Sequence, residues 1–116
     1  DHPSVATTLN NMALLYNTQG KYEEAEPLYK RSLGIIEKSL GADHPEVAIN
    51  LVNLANLYRQ QGKYEEAEPL YRRSLEIFRS TFPNGHPNID ACENDYARLK
   101  RAMQSEQRGQ VFNLDN

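Results

Sequence analysis

Tryptophan is absent from the 116-residue chain, and cysteine occurs once, as Cys92. A lone cysteine cannot close an internal disulfide, which excludes a small disulfide-stapled secreted fold. No apolar run approaches the roughly 20 residues that span a bilayer. Nor does a basic segment followed by an apolar one open the chain as a secretory signal would. A cytoplasmic location away from membranes is therefore expected. Basic residues are not in excess: 13 Lys and Arg face 16 Asp and Glu, for a net charge of −3. That balance counts against nucleic-acid binding, which usually needs a basic face. A glycine-rich phosphate loop, HExxH and GxSxG are all missing, so neither an enzyme nor a cofactor is expected. Initiator Met is missing too, and Asp1 in its place suggests a processed product or a piece of a longer protein. The remainder, 39% hydrophobic and 25% charged, suits one soluble globular domain.

What the sequence does have is a repeat. Asp1-His2-Pro3 returns as Asp43-His44-Pro45 and again as Gly85-His86-Pro87, a period of 42 residues. The stretch from Gly20 to Tyr29 returns unchanged as Gly62 to Tyr71, and 25 of 42 positions match between the first two copies. The third copy never reaches a second GKYEEAE. We divide the chain into repeats 1–42 and 43–84, a half repeat 85–108 and a tail 109–116.

Each repeat reads as two helices. Val5, Leu9, Met12, Ala13 and Tyr16 recur at three- and four-residue spacing, the pattern of one buried stripe. Pro3 suits a first turn. Asp43 and Glu46 have capping-box spacing, but if Pro45 is the first helical residue the cap is His44 instead. Gly20 falls where a helix end needs a left-handed residue. The second helix then buries Tyr22, Ala25, Leu28, Tyr29, Ser32, Leu33 and Ile36, with Glu23 and Glu24 placed favourably for the dipole. Pro27 and Pro69 fall inside that helix, where a kinked or loosened first turn is expected but not a break.

A helix pair carrying Leu9, Ala13, Tyr16, Gly20, Tyr22, Ala25 and Tyr29, repeated as Leu51, Ala55, Tyr58, Gly62, Tyr64, Ala67 and Tyr71, resembles the tetratricopeptide repeat. The 42-residue period and D-H-P opening are similar to its kinesin-light-chain type. The resemblance implies an all-α solenoid, five helices in a right-handed stack of two and a half repeats. It departs at Ser32 and Ser74, which replace an alanine, and at Glu93 and Lys100, which occupy normally buried positions. A solenoid's last helix has an uncovered face that must be polar. Residues 88–107 therefore read as a capping helix, with Gly109 near its stop.

Chemistry-bearing candidates have plain readings. His2, His44 and His86 lie at equivalent positions two helices apart, about twice the roughly 8–10 Å between neighbouring helices and too far to share a metal. The paired glutamates sit at solvated helix starts, and Cys92 has no general base arranged near it. The differences between copies say more. Thr7/Ile49, Asn10/Val52, Leu14/Asn56 and Asn17/Arg59 follow steps of three and four along one face of the first helix. The resemblance makes that face a concave groove holding a ligand; a solvated face free to drift is the alternative. Asn11 and Asn53 border it and could grip a peptide backbone or bond between helices. Asp95 and Arg98 extend the face into the third copy. The candidate peptide-binding set is therefore Thr7, Asn10, Asn11, Leu14, Asn17, Ile49, Val52, Asn53, Asn56, Arg59, Asp95 and Arg98. The lysine–asparagine pattern that clamps a ligand carboxylate in this family is not reproduced, since Asn10 stands where the lysine would be.

The expected function is a non-catalytic scaffold binding a peptide segment of a partner protein. The alternative is a structural spacer or self-assembling array fragment with no ligand of its own. Homo-oligomers are expected through the open first helix (Val5, Leu9, Met12) or through Val111, Phe112 and Leu114 of the tail.

Overall fold

The structure is a computed structural model that describes the backbone of residues 2–114 and the side chains of residues 2–108. Five helices follow one another: α1 Pro3–Thr18, α2 Tyr22–Leu40, α3 Pro45–Gln60, α4 Tyr64–Thr81 and α5 Pro87–Leu114. No strand occurs among the described residues. None of these helices is long and apolar enough to cross a membrane.

The first helices start on a histidine cap. His44 Nδ1 accepts from the Glu46 N–H at 3.1 Å, His2 does the same for Ser4 at 3.1 Å, and His86 for Asn88 at 3.0 Å. Pro3 and Pro45 take the first helical position, where no donor is missed. Of the two caps open for repeat 2, the structure has His44, and the Asp43–Glu46 box does not form. The hairpin turns are Schellman motifs. Gly20 and Gly62 adopt φ of 77° and 78°. Their N–H groups reach Asn17 O and Arg59 O at 3.0 Å, and Lys21 and Lys63 reach Tyr16 O and Tyr58 O at 2.8 Å. Helices α2 and α4 run unbroken through Pro27 and Pro69. Their first turns are closed by Ala25 N–H to Lys21 O (3.1 Å) and Ala67 N–H to Lys63 O (3.2 Å).

Packing separates each first helix into two stripes. Among the described residues helix α1 packs chiefly against the following second helix, and it buries Ala6, Leu9 and Ala13. Helix α5 has only a preceding second helix, and Ile89, Cys92 and Leu99 are buried on it. Helix α3, flanked on both sides, buries the equivalents of both sets: Ala48, Leu51 and Ala55 together with Val47, Asn50 and Leu57. The single stripe expected on α1 is therefore corrected. Leu9 is covered by α2, whereas Val5 (38% exposed), Met12 (43%) and Leu15 (58%) lie on the stripe that has no neighbour. Ala25, Ala67, Tyr29 and Tyr71 are fully buried, and Tyr22, Leu28 and Leu33 only half so.

The radius of gyration is 15.5 Å, against about 13 Å for a compact domain of this length. The smallest extent is 19 Å, two helix diameters at about 10 Å each. Glu93 and Lys100 are exposed on α5. That helix does not stop at Gly109 but continues to Leu114. At the place of Gly20 and Gly62 the third copy has Gln104, whose Cβ disfavours the left-handed turn. A glycine inside a helix costs only about 1 kcal/mol, too little to end one. The side chains of Val111, Phe112 and Leu114, on which tail docking was expected to rest, lie outside the described residues.

Candidate functional site

Helix α3 approaches both α1 and α5 with Cα atoms within 8 Å, whereas α2 and α4 make no such approach to each other among the described residues. The first helices therefore line the inside of a curve. Several residues of the candidate set are joined across these helices. Asn53 Nδ2 donates to Asn10 Oδ1 at 3.1 Å, linking α1 to α3. Asn56 Nδ2 donates to Asp95 Oδ2 at 3.1 Å, linking α3 to α5. Between the two readings of Asn53, it makes the inter-helix bond; Asn11 is exposed.

Asn56 belongs to a larger network. Its Oδ1 accepts a very short hydrogen bond from the Tyr71 hydroxyl and a longer one, 3.4 Å, from Arg59 Nη2. Arg59 Nε also donates to the Tyr71 oxygen at 3.1 Å. Arg98 pairs with Asp95 at 3.7 Å. Burial pushes the Tyr71 phenol up to about 12, partly opposed by Arg59. Asn56 and Tyr71 have thus spent most of their hydrogen-bonding capacity inside the chain.

The first repeat lacks this network. Leu14 stands for Asn56 and Asn17 for Arg59. Burial raises the Tyr29 phenol and the adjacent Asn17 opposes the rise. Yet neither the Tyr29 hydroxyl nor Asn17 Oδ1, both buried, completes a hydrogen bond among the described residues. Thr7, Asn11 and Leu14 are exposed here, and Thr7 Oγ1 donates to Pro3 O at 3.3 Å.

Ile49 and Val52 are half-buried and open onto a depression of about 120 Å³ between α3 and α5, backed by Phe78 and Cys92 and rimmed by Asn53 and Asn88. That is room for roughly four waters at about 30 Å³ each, or for one branched aliphatic side chain. A larger hollow of about 410 Å³ lies elsewhere, lined by Arg72, Glu76, Arg79, Glu93 and Lys100. Its Arg79–Glu93 pair, at 3.1 Å, keeps it charged and solvated. Burial pushes the Cys92 thiol up to about 12. A thiol held in that form is a poor nucleophile. Sequence reading missed Tyr29 and Tyr71 as members of this face. The available signal was that identical tyrosines sit over neighbours that differ between copies.

Stacked helical hairpins with their first helices drawn to one inner side define an α-solenoid repeat protein. The tetratricopeptide repeat family matches residues 4–80 and 51–107, and the chain belongs to that family. Two solved structures are similar to it along 92% of its length at 28% identity. They are Podosopora anserina "kinesin light chain nearly identical TPR-like repeats", with a TM-score of 0.79, and a single-substitution variant of the same protein, with 0.78. The repeats here are of that kinesin-light-chain-like type. The chain spans about half the length of each of those chains (51% and 50%). Comparison with curated proteins gives no match. Repeats of this family generally mediate protein–protein interaction and are generally non-enzymatic.

Proposed function

We infer that this chain is a non-catalytic scaffold that binds a peptide segment of a partner protein along the inner face of α1, α3 and α5. The carrying observation is the depression between α3 and α5, where Ile49 and Val52 are apolar and half-buried. An aliphatic ligand side chain would seat there. The free donors and acceptors of Asn11, Asn53 and Asn88 would meet the peptide backbone, while Asn56 and Asp95 hold the helices in place. Arg59 and Arg98, at the far end of the face, favour acidic groups on the ligand. Nucleic acid, membrane and cofactor have no part in this reading, and a cytoplasmic setting accords with it.

A peptide-array screen supplies the ligand and a paired substitution tests the face. Val52→Glu with Asn53→Ala should weaken binding at least tenfold and keep the helical content, with only the modest loss of stability that follows from removing the Asn53–Asn10 bond and charging a half-buried site. Undiminished binding by the double variant would place the ligand on another face. A second reading, self-assembly without a separate ligand, draws on the exposed Val5, Met12 and Leu15 of α1.

A further inference from the structure

Beneath the inner face the same buried tyrosine has different neighbours in the two repeats. In the second, a donor-rich side chain sits on a pair of oxygens. Arg59 Nε donates to Tyr71 Oη at 3.1 Å, and Arg59 Nη2 donates to Asn56 Oδ1 at 3.4 Å. In the first repeat a pair of oxygens has no such donor. Tyr29 is 0% exposed and Asn17 lies beside its hydroxyl. Both Tyr29 Oη and Asn17 Oδ1 are buried without a hydrogen-bond partner among the described residues.

The difference comes from two positions. Asn17 in the first copy corresponds to Arg59 and Arg101 in the others, and its shorter side chain ends before the place of a guanidinium. Leu14 stands where the second copy has Asn56 and offers no polar atom. It is 46% exposed, so it can turn outward and uncover the two oxygens. The last turn of α1 holds no basic residue, whereas that of α3 holds Arg59. A helix C-terminus carries partial negative charge and favours a cation. Buried oxygens without a donor cost free energy that a bound donor returns. A guanidinium suits two adjacent oxygens better than an ammonium does, being planar, weakly hydrated and forked with several donors.

We propose that the inner face at the C-terminal end of α1 binds an arginine side chain of the ligand, its guanidinium taking the place that Arg59 fills in the second repeat. Tyr29 Oη and Asn17 Oδ1 accept from it, and Leu14 turns aside to lie along its aliphatic stem. This rests on the peptide-binding reading above. It adds a basic residue at the α1 end of the bound segment, opposite the end where Arg59 and Arg98 favour acids. The observation behind it is that the second repeat shows the completed form of an arrangement the first leaves without its donor.

The probe is N-acetylarginine amide, titrated into the 116-residue chain and followed by chemical shifts. Shifts should concentrate at Leu14, Asn17, Thr18 and Tyr29, and the lysine and citrulline counterparts should bind about tenfold more weakly. Tyr29→Phe should weaken the arginine probe roughly fivefold. Leu14→Asn with Asn17→Arg supplies the missing groups from within the chain, and should abolish these shifts while the protein stays folded. The proposal is overturned by no shift, by shifts gathered on Glu23 and Glu24 instead, or by an equal response to all three probes. Undiminished binding by Tyr29→Phe and by the double variant would overturn it as well. Val52→Glu with Asn53→Ala tests the peptide-binding reading and leaves the probe's contacts in place, so the two fail separately. Peptide binding undiminished by that variant strikes the reading, whereas the probe outcomes strike only this proposal.

Discussion

In the second repeat the Tyr71 hydroxyl lies between Asn56 and Arg59 and is bonded to both; in the first, the equally buried Tyr29 hydroxyl lies beside Asn17 and completes no bond. Backbone, ring and burial are the same in the two repeats. On the inner face the residues at Leu14/Asn56 and Asn17/Arg59 differ, and on the following first helix Asp95 and Tyr96 stand where the preceding copy has Asn53 and Leu54. The frame of the repeat is thus kept constant by packing, while a few inner-face positions decide whether its polar groups are satisfied internally. The second repeat has a fixed, self-satisfied polar floor. The first retains unspent hydrogen-bonding capacity along the same curve.

The largest expected effect is alkaline unfolding. Burial raises Tyr71 from 10 to about 12 and Cys92 from 9 to about 12. Below pH 9 both groups are protonated in the folded and unfolded chain, and stability is undiminished. Above that, the unfolded chain releases protons that the folded chain retains. Stability should then fall by about 1.4 kcal/mol per unit between pH 9 and 12 through Cys92, and by a similar slope between pH 10 and 12 through Tyr71. Denaturation curves across that range check it, and combining Tyr71→Phe with Cys92→Ala should flatten the decline.

Next is the constant frame itself. Ala25 and Ala67 are both 0% exposed, so Ala67→Leu should cost roughly 1–3 kcal/mol by overpacking. A neutral result in chemical denaturation would show that the repeats do not pack as closely as the structure has them. His44→Ala should cost about 1 kcal/mol by removing the cap of α3. A smaller change comes from transplanting the second repeat's floor into the first. Leu14→Asn with Asn17→Arg should gain about 0.5–1.5 kcal/mol by giving Tyr29 the partners Tyr71 has. No gain would mean that the two tyrosines differ for another reason.

Much of this architecture was legible because a 42-residue repeat makes every inference twice. The helix pairs, the left-handed glycines at Gly20 and Gly62, the buried alanines and the polar face of α5 all follow from residue type and spacing. Three features were not. Which stripe of α1 is covered depends on a neighbouring helix, so Val5 and Met12 look the same as Leu9 in a periodicity count. The end of α5 depends on Gln104 failing to make a turn, not on Gly109 making one. The fate of Asn53 and Asn56, bonded across helices instead of free, depends on distances between elements that sequence spacing does not supply. The pairing of Tyr71 with Arg59 joins α4 to α3 in the same way.

The most direct measurement compares Tyr71→Phe with Tyr29→Phe by chemical denaturation under identical conditions. Each removes one buried hydroxyl from the same place in the frame. The Tyr71 variant leaves Asn56 Oδ1 and Arg59 Nε short of a partner and should lose about 1–2 kcal/mol. The Tyr29 variant breaks no bond and should change stability by less than about 0.5 kcal/mol. Equal losses at both positions would contradict the account, because the inner-face residues would then have no bearing on how the constant frame is satisfied.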